Sequence, residues 1–312
     1  MTAAPEHAPY FAAIDRIAPW PDALRTMRAA LNDAAATAAT VARAVELDVA
    51  FSTRLLRLVN SPAAGLLRPC LSVAHAVSLV GMRRVGMLVE ATASEAAVEK
   101  CAAVAPELSA RALKTSGVAR ALATWTGSAP ENAYTAALLA DIGEIAILAV
   151  ERGAPAAKRA AARKVEPREL GGEILRRWNI PAPIPQVVAL RDDLAKAEAT
   201  GHDVGRLAAL IVATEALTPI VDRETSPPEA ELVALCEGHA FKLLRLDPKR
   251  LCAAWAAMRQ ALGHGAEAPP AAEPPPVTSS EVAEPESRRP NGLAVALAIL
   301  VPAAIAAFAL LR

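Results

Sequence analysis

Residues 45–62 read Val45-Glu46-Leu47-Asp48-Val49-Ala50-Phe51-Ser52-Thr53-Arg54-Leu55-Leu56-Arg57-Leu58-Val59-Asn60-Ser61-Pro62. Phe51, Leu55, Leu58 and Val59 recur at helical spacing on one stripe. The stripe stops at Asn60-Ser61-Pro62, because proline has no N–H to donate and its ring clashes with the preceding turn. A short amphipathic helix that buries one face and ends abruptly belongs to a body of packed helices.

The same period returns on both sides. Upstream, Leu24, Met27 and Leu31 follow the start signal Pro21-Asp22 and run to Asn32-Asp33, and Thr37 caps a helix carrying Val41 and Val45. Downstream, Ser72 caps a helix with Val73, Val77 and Val80 inward, and Gly81 breaks it before another with Val85, Leu88 and Val89. Further stripes are Val118, Leu122 and Trp125; then Tyr134, Leu138, Asp141 and Ile145; then Gly171 to Trp178. Helices are expected from Val204 to Leu217, from Pro228 to Leu246, and from a cap at Asp247 with Pro248 in the first turn. No segment reads as a strand, so the expected fold class is all-α.

Composition agrees. Of the 312 residues 54% are hydrophobic but only 3% aromatic, and about a quarter are Ala, a helix former that supplies little to a sheet. Lys+Arg 33 against Asp+Glu 33 gives a formal net charge of zero, which offers no field to hold a polyanion, so nucleic acid is not an expected partner. Arg83 and Arg84 read as a solvated face, and His75 as a packed or half-exposed helix residue. The cysteines Cys70, Cys101, Cys236 and Cys252 contain no C-x-x-C pair and read as reduced, buried small side chains.

Residues 1–13 read as an N-terminal tail without an apolar targeting segment. The helical body spans 14–217, with a helical extension over 218–264 packed on it. Residues 265–291 hold seven prolines and five glutamates, a composition that predicts an extended linker. Within 292–311, Leu293 to Leu311 is a run of nineteen residues without a charge, interrupted only by Pro302. A helix of that length and apolarity suits one membrane crossing. Arg288 and Arg289 before the run, against Arg312 after it, favour a cytoplasmic body. The expectation is a tail-anchored, single-pass protein of the cell membrane.

Taken together, Glu46-Leu47-Asp48, the element Leu55-Leu56-Arg57-Leu58-Val59-Asn60-Ser61, the segment Ser72 to Val85 containing Ala76-Val77, Leu79-Val80-Gly81 and Arg84, and the early Ala18-Pro19-Trp20-Pro21 resemble an HDOD domain. Val49 stands where the family usually has proline. The resemblance marks Asp48, Asn60, Ser61 and Gly81 as structural residues of the motif. It implies an all-α fold related to the HD-domain metal-dependent phosphohydrolases, usually without hydrolase activity and serving in signalling.

An HD metal site needs imidazoles and carboxylates about a divalent ion. Ala137-Leu138-Leu139-Ala140-Asp141-Ile142-Gly143-Glu144 resembles the His-Asp element, but Ala140 holds the histidine position. Thr115 stands where a helix histidine would lie, and Asp192 and Asp193 where a histidine pair is found in relatives. These are vestigial positions, so no catalytic residue, metal ligand or cofactor is assigned. The inward register of Asp141 demands a buried partner, for which Thr115 is the candidate, since an unpaired buried carboxylate is costly. The competing arrangement is an all-oxygen Mg²⁺ site from Asp141, Glu144, Asp192 and Asp193. Asn60 reads as a left-handed helix cap.

The functional expectation is a non-enzymatic signal-transduction or scaffolding module that binds an unknown signalling protein and is held at a membrane by Leu293, Pro302 and Leu311 and the residues between them, with homo-oligomers possible in principle. The alternatives are a divergent phosphohydrolase acting on a nucleotide or cyclic dinucleotide, and a regulator that binds a nucleotide without hydrolysing it.

Overall fold

The structure is a computed structural model that describes residues 7–14, 19, 21–99, 106–153, 165–223 and 227–263. The expected linker over 265–291 and membrane segment over 292–311 lie outside these residues. Among the described residues every regular element is helical. The N-terminal half contains α1 (Ala8–Ile14), α2 (Pro21–Asn32), α3 (Ala38–Glu46), α4 (Val49–Val59), a short 3₁₀ turn (Pro62–Ala64), α5 (Val73–Val80) and α6 (Met82–Glu99). The larger half follows with α7 (Pro106–Thr126), α8 (Pro130–Leu138), α9 (Ile142–Gly153), α10 (Pro167–Arg177), α11 (Ile184–Leu190), α12 (Leu194–Thr200), α13 (His202–Val221), α14 (Glu229–Cys236), α15 (His239–Leu243) and α16 (Pro248–Ala261).

Local chemistry sets the helix ends in the N-terminal half. Thr37, Asp48 and Ser72 each place a side-chain oxygen on the backbone N–H three residues on, satisfying one of the donors a helix start leaves open. Asp48 does this from a buried position, accepting from the Phe51 N–H at 2.7 Å. Gly81 ends α5 with φ +83, a conformation that side-chain-bearing residues rarely adopt. Asn60, expected as a left-handed cap, instead has φ −89. Its amide group ties down the following loop: Nδ2 donates to the carbonyls of Leu56 (3.0 Å) and Cys70 (2.8 Å), and Oδ1 accepts from the Cys70 N–H (2.8 Å). Ser61 donates its hydroxyl to the Leu58 carbonyl at 2.8 Å.

Three expected elements differ. Residues 8–13 of the stretch read as a tail, together with Ile14, form α1, which buries Tyr10, Phe11 and Ile14 and packs on α9. The stripe from Tyr134 to Ile145 is two helices, because the chain turns at 139–141 and restarts at Ile142. The helix expected from Pro228 to Leu246 is likewise split around Gly238 into α14 and α15. Of the cysteines, Cys70 is buried as expected, Cys236 is half-buried and Cys252 exposed, and Cys101 lies outside the described residues.

α13 is buried along most of its length and packs against α7, α11, α12 and α15. The two halves meet through Glu46, at the end of α3, which is buried. Its carboxylate accepts from Arg120 Nη2 of α7 at 2.7 Å, and its carbonyl accepts from the Tyr134 hydroxyl of α8 at 2.9 Å. The Arg120 guanidinium lies over the Tyr134 ring at 3.8 Å and also reaches Glu131. Farther along, Arg57 covers the Trp178 ring and Arg177 the Phe11 ring, so cationic planes lie over aromatic faces at the joint.

Candidate functional site

Asp141 sits in the turn between α8 and α9, with Ala140 before it, and both are buried. Gly143, two residues on, lets two backbones come together. A Cβ there would stand 1.9 Å from the Pro167 carbonyl oxygen, so only glycine allows the start of α10 to lie against the start of α9. That contact brings Arg168, the next residue along, to Asp141.

Three guanidiniums converge on the Asp141 carboxylate. Oδ1 accepts from Arg191 Nη2 at 2.6 Å and from Arg168 Nη1 at 3.1 Å, while Oδ2 accepts from Arg111 Nη2 at 2.8 Å and Nε at 3.3 Å. Arg111 comes from α7, Arg168 from α10, and Arg191 from the end of α11, so one carboxylate joins three helices. Arg191 is 1% exposed and the largest fully buried side chain among the described residues. Two further carboxylates complete the cluster. Asp192 accepts from Arg168 Nε at 2.9 Å, and Glu215 of α13 lies 3.3 Å from Arg191 Nη2.

Opposing effects set the charge states. Burial pushes the Asp141 carboxyl up, but the adjacent Arg191 and Arg111 outweigh it and hold the group at about 2. Glu215 is shifted upward, because burial outweighs the pull of Arg191. Arg111 is raised, chiefly by its hydrogen bond to Asp141.

This geometry replaces the partner expected for Asp141. Thr115 is buried on α7, but the side chain that reaches Asp141 from that helix is Arg111, one turn earlier. The four carboxylates named for a Mg²⁺ site are not gathered into one group among the described residues. Asp141 is fully engaged by arginines, Asp192 by Arg168, and Asp193 caps α12 by accepting from the Lys196 N–H. Among the described residues no three His, Cys, Asp or Glu side chains are grouped to hold a metal ion. The donor set does not fit a divalent cation, since three fixed positive charges surround the one buried carboxylate and Ala140 offers no ligand atom. Sequence reasoning missed Arg111, Arg168 and Arg191. Arg191 stands directly before the Asp pair, and its cationic side chain on a buried face was the available signal.

A protein-family model, the HDOD domain, matches residues 17–194. That span lies within the body expected over 14–217. An uncharacterized protein of Treponema pallidum (strain Nichols) is 26% identical over 200 residues, a match covering 59% of this chain and 39% of that relative. The chain therefore spans about two fifths of that protein's length. Two crystal structures share the fold. The MmoQ response regulator of Methylococcus capsulatus (strain Bath) is 22% identical with a TM-score of 0.50, covering 75% of this chain and 99% of that one. A virulence factor of Campylobacter jejuni is 16% identical with a TM-score of 0.54, covering 83% and 100%.

Proposed function

Because this chain belongs to the HDOD domain family, we propose that it is a non-enzymatic member, a helical signalling or scaffolding module that binds a partner protein. The observation that carries the reading is the closure of the HD position by charge pairing. Every oxygen of the Asp141 carboxylate accepts from a guanidinium, and the neighbouring histidine position is Ala140. A carboxylate so engaged has no lone pair directed at a metal, and water activation by a Lewis acid has no seat there. The cluster instead braces α7, α10 and α11 against the α8–α9 turn, which suits a surface that must stay rigid to be recognised.

Hydrolysis assays on the full chain test the reading. Phosphodiesters and phosphomonoesters supplied with Mg²⁺, Mn²⁺ or Fe²⁺ are expected to remain intact. Turnover abolished by Asp141→Asn would overturn it.

The membrane attachment proposed for this module rests on Leu293 to Leu311 alone. Two other apolar stretches, Pro130–Glu151 and His202–Val221, are mostly buried inside the body, where their apolarity serves the core. Carbonate washing of membranes separates the cases: retention of the full chain in the pellet supports a span, and complete release contradicts it.

A further inference from the structure

Arg191 is buried to 1% exposure, yet only its Nη2 is hydrogen-bonded. Its Nε and Nη1 have no hydrogen-bond partner among the described residues. Buried guanidinium donors left unmet are costly, and a native fold rarely tolerates them without a role. The group facing Nε is the Asp192 carboxylate, whose Oδ1 lies 3.9 Å away, close enough for attraction but too far for a hydrogen bond. Its other oxygen accepts from Arg168 Nε at 2.9 Å. One acidic side chain thus fronts two guanidinium edges and satisfies one of them.

Asp192 is the accessible member of this pair. Its side chain is 63% exposed against 26% for Arg168, so water and salt reach the ion pair from the Asp192 side. Its departure would leave Arg168 Nε and Arg191 Nε both without an acceptor on the side Asp192 had covered.

We propose that this side of the cluster is a phosphate-binding site, in which a phosphate group displaces the Asp192 carboxylate and is held by Arg168 and Arg191. Phosphate carries more charge than a carboxylate and presents three strong acceptor oxygens, enough to meet Arg168 Nε and Arg191 Nε together. The guanidinium fork recognises such an oxyanion by paired hydrogen bonds. Asp192 acts as a built-in competitor that occupies the site when phosphate is scarce. The proposal rests on the non-enzymatic reading of the same cluster, because a metal seated at Asp141 would reorganise all three arginines.

Calorimetric titration of the full chain in detergent, with EDTA present and ionic strength held constant, tests it. The probes are inorganic phosphate and a nucleoside monophosphate. Asp192→Ala is expected to tighten binding about tenfold, and Arg168→Gln to weaken it about tenfold with unchanged helical content by circular dichroism. Preference for inorganic phosphate identifies free phosphate as the ligand chemistry, preference for the nucleotide identifies a phosphate ester, and equal affinity shows that the phosphate group alone is read. Phosphate affinity that Asp192→Ala fails to raise, or heat effects common to every variant, would overturn the site. Hydrolysis of the ester would instead contradict the non-enzymatic reading, so the two failures are distinguishable.

Discussion

Arg191 Nη2 donates to Asp141 Oδ1 at 2.6 Å, with both side chains buried, and this pair anchors the cluster at the centre of the larger half. Burying a charge pair gains little over an apolar pair of equal volume, because both ions lose water. Removing one partner is a different matter. Asp141→Ala leaves Arg191 enclosed with only Glu215 and Asp192 nearby, and is expected to cost about 3 to 5 kcal/mol in urea unfolding. A loss under about 1 kcal/mol would mean that the arginines find other partners.

The same carboxylate makes stability sensitive to acid. Its value falls from an ordinary 3.8 to about 2 in the folded chain, so its contribution is complete above 3.8 and disappears as the pH drops through about 2. The stability gap between the natural protein and Asp141→Asn should therefore narrow across that window, by on the order of 2 kcal/mol. Glu46 and Glu215 are raised and act with opposite sign, losing stability as the pH climbs through their range, but both are present in the two proteins compared. A gap independent of pH would contradict the charge pairing.

Asn60 offers an isosteric test. Its Nδ2 donates to two carbonyls, and an aspartate oxygen in that place would face both of them as a second acceptor. Asn60→Asp should lower stability by more than Asn60→Ala, which itself should cost about 1 to 3 kcal/mol. Equal effects would show that the amide group's donors are not what fixes the Cys70 loop.

Gly143→Ala should act at a distance from its own volume. The added carbon meets the Pro167 carbonyl, so the start of α10 must move and carry Arg168 away from Asp141. A loss of several kcal/mol, consistent with overpacking, is expected in thermal unfolding. A melting temperature matching the natural protein would show that the two helices separate without cost.

Much of this architecture is legible in the sequence, for reasons specific to its elements. α3, α4 and α5 are short helices that start at the side-chain caps Thr37, Asp48 and Ser72, so periodicity and punctuation agree. The turn at 139–141 is not legible, because Leu138, Asp141 and Ile145 keep helical spacing across it while the backbone changes direction. Burial of Asp141 follows from its register, but its partners do not. They arrive from positions 111, 168 and 191, brought together only when α7, α10 and α11 pack, and no local pattern records that meeting. Asn60 shows the same limit, since its hydrogen bonds close a loop ten residues long.

Elemental analysis bears most directly on the central claim that arginines have taken over the HD position. The full chain, produced in cells supplied with iron, manganese and zinc and then dialysed, should carry far less than one metal ion per chain. Near-stoichiometric metal that is retained through dialysis and lost in Asp141→Asn would contradict it.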